Sequence, residues 1–410
     1  MNRTLLCGLG VLLTCVGLIA LKTRWDAVDS AEHLKAAREA LELRQYNEAR
    51  RHGDSAVTWL VPQEHREEAW YLTGRAYLED QQLARIDRLP KAMEFLAKVP
   101  QQSSWYPQTA LAMANDKLFE AKSSREALQI IDEALRDWPH DAGLNAWKLI
   151  WMTVTNRTAL AEPYFRAGAN SHGPDAEKLL QVWLQSQFAP HDLETQFDRQ
   201  LGVAGSQEST TDAIRLERWT TLKRMNLAEP TNYAAIGEWY LDHGFLLEAL
   251  EQLHAGRSAA EMSPDPCFLS VSVRAFCEAG QVEVAGPLLT PLQHLAPDYL
   301  HPVAAARVAL ARNQPDVALR ELVAARQSWP GRLDPWLSKT LEQLYRQKGD
   351  ADSVTVADGL MAEREWLAAQ QSKLQQVLVR KLEPTDRTWL IDFLGRLNRE
   401  FEVATLNTVP

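Results

Sequence analysis

An all-α array of stacked helical hairpins, an α-solenoid, is what this 410-residue chain predicts, and three observations carry that reading. One spacing recurs: Ala127, Ile131, Ala134 and Pro139; Ala285, Leu289, Leu292 and Pro297; Ala318, Leu322, Ala325 and Pro330. Turn-bounded stretches of alternating apolar and polar residues, the mark of half-buried strands, are nearly absent. The chain is also too long for one compact core. Small residues at fixed intervals let one helix approach another closely, and aromatics beside them fill the gap, which describes an antiparallel pair. A lone pair leaves a face bare, so neighbouring pairs must stack.

Two first helices carry more of the pattern. One holds Trp70, Thr73, Gly74 and Tyr77; the other holds Tyr233, Ile236, Gly237 and Tyr240, followed by Gly244 at a turn and by Ala249, Leu253 and Gly256. On these residues the chain resembles the tetratricopeptide-repeat (TPR) family, whose unit is helix, turn and helix over about 34 residues. Weaker copies read Ala49, Gly53, Ala56, Pro62 and Ala161, Phe165, Gly168, Pro174. The steps from Ala92 to Ala127 to Ala161, and from Ala249 to Ala285 to Ala318, all stay close to about 34 residues. The resemblance implies a TPR-like α-solenoid that holds partners and performs no chemistry.

Taken in order, residues 1–25 read as a membrane anchor. The uncharged run Leu5 to Leu21 reaches the lower limit of about 17 residues for a spanning helix, with Arg3, Lys22 and Arg24 at its flanks and Trp25 suited to the interface. A cleaved secretory signal is the alternative, although bulky Leu18 before Ala20 makes a poor cleavage site. Either reading exports the rest of the chain. Residues 26–175 form a first array, with a polar tether from Asp26 to Ser30 and an enlarged turn from Asp80 to Leu89 in the second unit. Residues 176–228 hold a degenerate unit and an extra charged helix around a flexible run, Gly202 to Thr211, and read as a hinge. Residues 229–362 form a second array, and 363–410 supply capping helices.

Composition narrows the function. With 54 acidic against 44 basic residues the net charge is -10, and no basic cluster interleaves with aromatics, so nucleic acid is not an expected partner. No nucleophile motif, metal-ligand spacing or phosphate-cradling loop is present, so no catalytic residue, cofactor or metal is assigned. Asp350, Asp352 and Asp358 lack the glycine and closing glutamate of a calcium loop and read as a polar turn. Ser171 and His172 fall in a loop without a third catalytic group. Cys267 and Cys277 lie on one helix about 15 Å apart, too far for a disulfide. Fourteen tryptophans admit two readings, repeat packing or stacking platforms for a glycan. Trp138 and Trp329, each just before a helix-ending proline, favour packing.

The resemblance also implies where partners sit. In such repeats the groove is lined from the first helix of each unit, which here assigns Tyr71 and Arg75, Asp116 and Phe119, Glu238 and Asp242, Arg274, and Arg307 as partner-binding candidates. The family's carboxylate clamp for chaperone tails needs groove lysines and asparagines that these positions lack. A protein or peptide partner, a charged segment or a helix, fits the mixture of charge and apolar spots. The expected function is a membrane-anchored, extracytoplasmic interaction scaffold; a glycan-binding solenoid of the cell envelope is the alternative.

Overall fold

The computed structural model describes residues 3–57, 61–169, 174–203, 210–296, 298–380 and 382–408, with side chains from residue 22 onward except 174, 175 and 408. Among the described residues there are helices and turns and no strand. The chain divides into two compact units, Met1–Glu120 with Glu126–Pro139, and Ala121–Arg125 with His140–Pro410.

The first unit contains α1 (Arg3–Glu42), α2 (Tyr46–Ser55), α3 (Gln63–Glu79), α4 (Arg85–Leu96), α5 (Tyr106–Asn115) and most of α6 (Ser124–Asp137). Each of α1, α2, α3 and α4 packs on the next, and α1 also packs on α3, as stacked hairpins require. Ala37, Ala49, Ala69 and Ala76 are wholly buried where these helices meet. A Cβ on Gly74 would stand 2.7 Å from the Leu96 side chain, so glycine there sets how closely α3 approaches α4. The buried Arg50 bonds Asp80 at 2.8 Å and stacks on Tyr77, fastening α2 to the end of α3.

Two expectations change here. The tether at Asp26–Ser30 is helical, because α1 runs unbroken from Arg3 into the first repeat. Its Lys22–Asp26 pair at 3.4 Å bridges one turn, and Ser30 is already buried. The enlarged turn is shorter than Asp80–Leu89, since α4 begins at Arg85 and accommodates Pro90 within its first turns. The apolar run Leu5–Leu21 falls where side chains lie outside the described residues, and among the described residues no helix is long and apolar enough to cross a membrane.

The second unit continues with α7 (Ala142–Val154), α8 (Glu162–Ala169), α9 (Pro174–Phe188), α10 (Pro190–Leu201), α11 (Thr211–Met225), α12 (Pro230–Asp242), α13 (Leu246–Met262) and α14 (Pro266–Glu278). The next second helix is broken into α15 (Val282–Ala285), a 3-10 turn and α16 (Leu289–Leu295), because Pro287 and Pro291 cannot continue a regular helix. Then follow α17 (Leu300–Ala311), α18 (Pro315–Ala325), α19 (Trp329–Leu333), α20 (Pro335–Lys348), α21 (Ala351–Leu378), α22 (Pro384–Arg396) and α23 (Glu400–Thr408). Hairpins α12/α13, α17/α18 and α20/α21 stack, and α14 packs between α12 and α17. Aspartates cap several first helices: Asp265 accepts from the Phe268 amide at 2.8 Å, and Asp334 from the Trp336 and Leu337 amides at 2.9 and 3.1 Å.

The repeat register is visible in burial. Ala49, Ala92, Ala127, Ala161, Ala249, Ala285 and Ala318 are all completely buried. It is visible again in the backbone. The turn between paired helices carries a left-handed residue at Arg44, Lys122, Asn156, Gly244, Gly280, Asn313 and Gly349, a recurrence the residue types alone conceal.

Helices α9 and α10, the end of α21, and α22 and α23 serve a further core. The buried faces of α7, α8, α9 and α10 meet Trp329, the end of α21, and α22 and α23, so the C-terminal helices return onto α9 rather than ending an open stack. Phe188 and Phe393 meet edge to face at 5.3 Å, and Trp183 donates to the buried Glu402 at 3.1 Å. The polar helix expected from Glu363 is the second half of α21, which begins at Ala351. Asp350 caps it by accepting from the Ser353 amide at 2.8 Å, and Asp358 accepts from Arg346 at 2.9 Å. Ser171 and His172 lie outside the described residues.

Candidate functional site

The candidates of the first unit fall in two places. Tyr71 and Arg75 sit one turn apart on α3. Tyr71 is buried and stacks on Trp105 at 5.3 Å, while Arg75 extends to Glu79 at 2.5 Å. Burial raises the Tyr71 hydroxyl above its ordinary pKa. Asp116 and Phe119 occupy the π-helical turn Asp116–Glu120 that follows α5. One Asp116 oxygen, Oδ1, is buried without a hydrogen-bond partner among the described residues, and burial, then Glu120, raises its carboxyl.

The candidates of the second unit converge. Glu238 and Asp242 on α12, Arg274 on α14 and Arg307 on α17 come from consecutive first helices packed side by side. Arg274 is the hub: its guanidinium bonds Asp242 at 2.6 Å and Glu278 at 2.8 Å, and lies 4.0 Å from Glu238. Burial works against its charge, yet the Glu278 and Asp242 bonds outweigh burial and hold its pKa above the ordinary value. Glu238 is half-buried, with 36% of its side chain meeting solvent. Burial, and then Asp242, raise its carboxyl. Arg307 stacks on Trp336, 3.7 Å from the ring centroid, and burial followed by Arg274 lowers its pKa.

Part of this face is covered by the chain itself. The turn after α7 places Asn156 against Glu238, with Nδ2 donating at 2.7 Å. Arg157 stands 3.6 Å from Glu229 and 3.7 Å from Asp265. Ala159 and Leu160 pack against the cluster of Cys267, Leu292, Ala296 and Leu300. Nothing in the residue types of Asn156 and Arg157 marked them; their role follows from α7 lying against α11, where Arg218 and Trp219 both donate to the Val154 carbonyl. Past this loop a cavity of about 860 Å³ opens between Leu160 and Arg166 on one wall and Tyr299, Pro302 and Trp329 on the other. Its arginines are committed: Arg166 to Glu162 at 2.7 Å, and Arg399 to Glu162 at 3.3 Å and to Glu402.

The tryptophans divide accordingly. Trp151, Trp183 and Trp329 are buried packing residues, Trp138 donates to the Gln101 carbonyl at 2.8 Å, and Trp105 backs Tyr71. Trp336 faces the groove, and Trp25 is 74% exposed.

No protein-family model matches the chain, and no curated protein matches it in sequence. Among solved structures it is similar to a chain of the Cut9–Hcn1 hetero-tetramer of the APC/C, at 12% identity over 75% of this chain and 74% of that one, with a TM-score of 0.32. It is also similar to the TPR domain of P58(IPK), at 14% identity over 78% of this chain and 99% of that one, with a TM-score of 0.23.

Proposed function

We propose that this protein is a TPR-like scaffold whose concave face on α12, α14 and α17 binds a charged segment of another protein. The observation that carries the reading is the Arg274 hub. An arginine of α14 shared among Glu278 of its own helix and Asp242 and Glu238 of the adjacent α12 presents alternating charge on a rigid face, which selects a partner by complementarity. Rigid helices place these groups without the ordering cost a loop would carry. The run Leu5–Leu21 attaches the array to a membrane, and α1, continuous from Arg3 to Glu42, joins that run to the first repeat without a flexible linker. The array faces the extracytoplasmic side, where partners are recruited to the envelope.

The test is capture of partners from gently solubilised membranes with the wild type and with Arg274→Glu. The expected result is a protein retained by the wild type, released as salt rises, and absent from the variant. A partner held equally by the variant, or insensitive to salt, removes the groove from consideration.

A further inference from the structure

The charge on this face is ordered. Around the hub, the groups that reach solvent are the carboxylates: the Arg274 side chain is 17% exposed, whereas Asp242 is 58% and Glu278 40% exposed. The guanidinium therefore lies beneath them, and the three carboxylates of Glu238, Asp242 and Glu278 outnumber the one cation that they share. What a partner meets over α12 and α14 is acidic.

The next first helix reverses the sign. Arg307 on α17 has no ion-pair or hydrogen-bond partner among the described residues, and Asp334, Glu278 and Glu238 act on its charge only from beyond pairing distance. Its guanidinium lies on the Trp336 ring, 3.7 Å from the centroid, while burial works against its charge. An arginine held on an aromatic ring keeps its donors free and loses little freedom when a carboxylate arrives. A partly buried cation without a counter-ion is stabilised by a ligand that supplies one. Because α14 and α17 pack side by side, the carboxylates and Arg307 stand one helix spacing apart, roughly 8 to 10 Å, which an extended chain crosses in about three residues.

We infer, resting on the groove reading above, that the bound segment of the partner protein carries both signs in a fixed order: a basic side chain over Asp242 and Glu278, and an acidic side chain on Arg307, about three residues away in an extended chain. A wholly basic segment would set a cation against Arg307, and a wholly acidic one would set its charge against Asp242 and Glu278; like charges so placed are costly.

A displayed library of random peptides, selected on the full-length protein in mild detergent, tests this. The wild type should retain peptides that pair a basic residue with an acidic one. Arg307→Gln should lose the acidic preference and keep the basic one, and the exposed double variant Asp242→Asn, Glu278→Gln should do the reverse. Opposite losses in two variants cannot come from unfolding, which would remove both preferences. For one retained peptide, made synthetically, Arg307→Gln and replacement of the peptide's acidic residue by its amide should each weaken binding about tenfold in calorimetry, and both together no further. An acidic preference that survives Arg307→Gln, or two losses that add, overturns the inference and leaves the groove reading standing. Retention of no peptide by the wild type removes that reading and the inference with it.

Discussion

Asn156 donates its carboxamide to Glu238 at 2.7 Å, from a turn that precedes it by 82 residues. Through this bond and the Arg157 contacts, the second unit covers part of its own charged face. A partner that reaches Glu238 must displace the turn, whereas one that engages Arg274 and Arg307 need not.

Asn156→Asp places a carboxylate against Glu238 and removes the donor. Backbone amides of residues 155–160 should then exchange faster with solvent, and stability should fall by about 1 kcal/mol. Hydrogen exchange followed by mass spectrometry reads this directly, and unchanged protection of the turn would show that the bond does not hold it.

The raised carboxyl of Glu238 makes a pH prediction with a definite sign. A carboxyl whose folded pKa lies above its unfolded value contributes stability that is fully present below the unfolded pKa and is lost as pH rises through the folded one. Glu238→Gln keeps an acceptor for Asn156 and removes the ionisation. Thermal melts from about pH 4 to about pH 8 should show a smaller decline with rising pH in the variant than in the wild type. Parallel curves would count against burial as the cause.

The left-handed turns can be tested from both sides. Gly244 has φ of 79° and open space around its Cα, so Gly244→Ala meets only backbone strain and should destabilise by about 1 kcal/mol. Arg44 is exposed and has φ of 58°, and Arg44→Gly should raise stability by a few tenths of a kcal/mol up to about 1, the relief being offset by glycine's greater freedom when unfolded. Denaturant titrations giving shifts of the same sign would contradict the shared turn geometry.

Close approach of α12 and α13 rests on two small residues. A Cβ at Gly256 would stand 2.7 Å from Tyr233 and 2.8 Å from Phe268, and Ala249 is fully buried. Gly256→Ala and Ala249→Leu should each cost about 1 to 3 kcal/mol by overpacking. Melting temperatures equal to the wild type would displace the helix register.

Return of the C-terminal helices predicts that Phe393 behaves as a core residue. It is buried among Phe188, Trp366 and Trp389, so Phe393→Ala should cost about 3 to 5 kcal/mol, measured by urea denaturation. A loss below about 1 kcal/mol would mean that α22 is a detachable cap.

How much was legible depended on how local the cause was. Helices, their pairing and the seven buried alanines follow from spacing within a single hairpin, because a seam between two helices tolerates only small residues at fixed intervals. The alignment of Glu238, Arg274 and Arg307 has the same cause: they occupy equivalent positions on successive first helices, which stacking brings side by side, with Asp242 one turn further along α12. The unbroken α1 was not, since the polar residues at Asp26–Ser30 suit an exposed helix as well as a tether.

Sequence by itself determined the all-helical repeat and the row of charged positions, since both arise from short-range periodicity. Tertiary structure alone decided that the C-terminal helices fold back onto α9 and that Asn156 lies on Glu238. Those contacts join residues far apart in sequence with no shared period, so no local pattern records them.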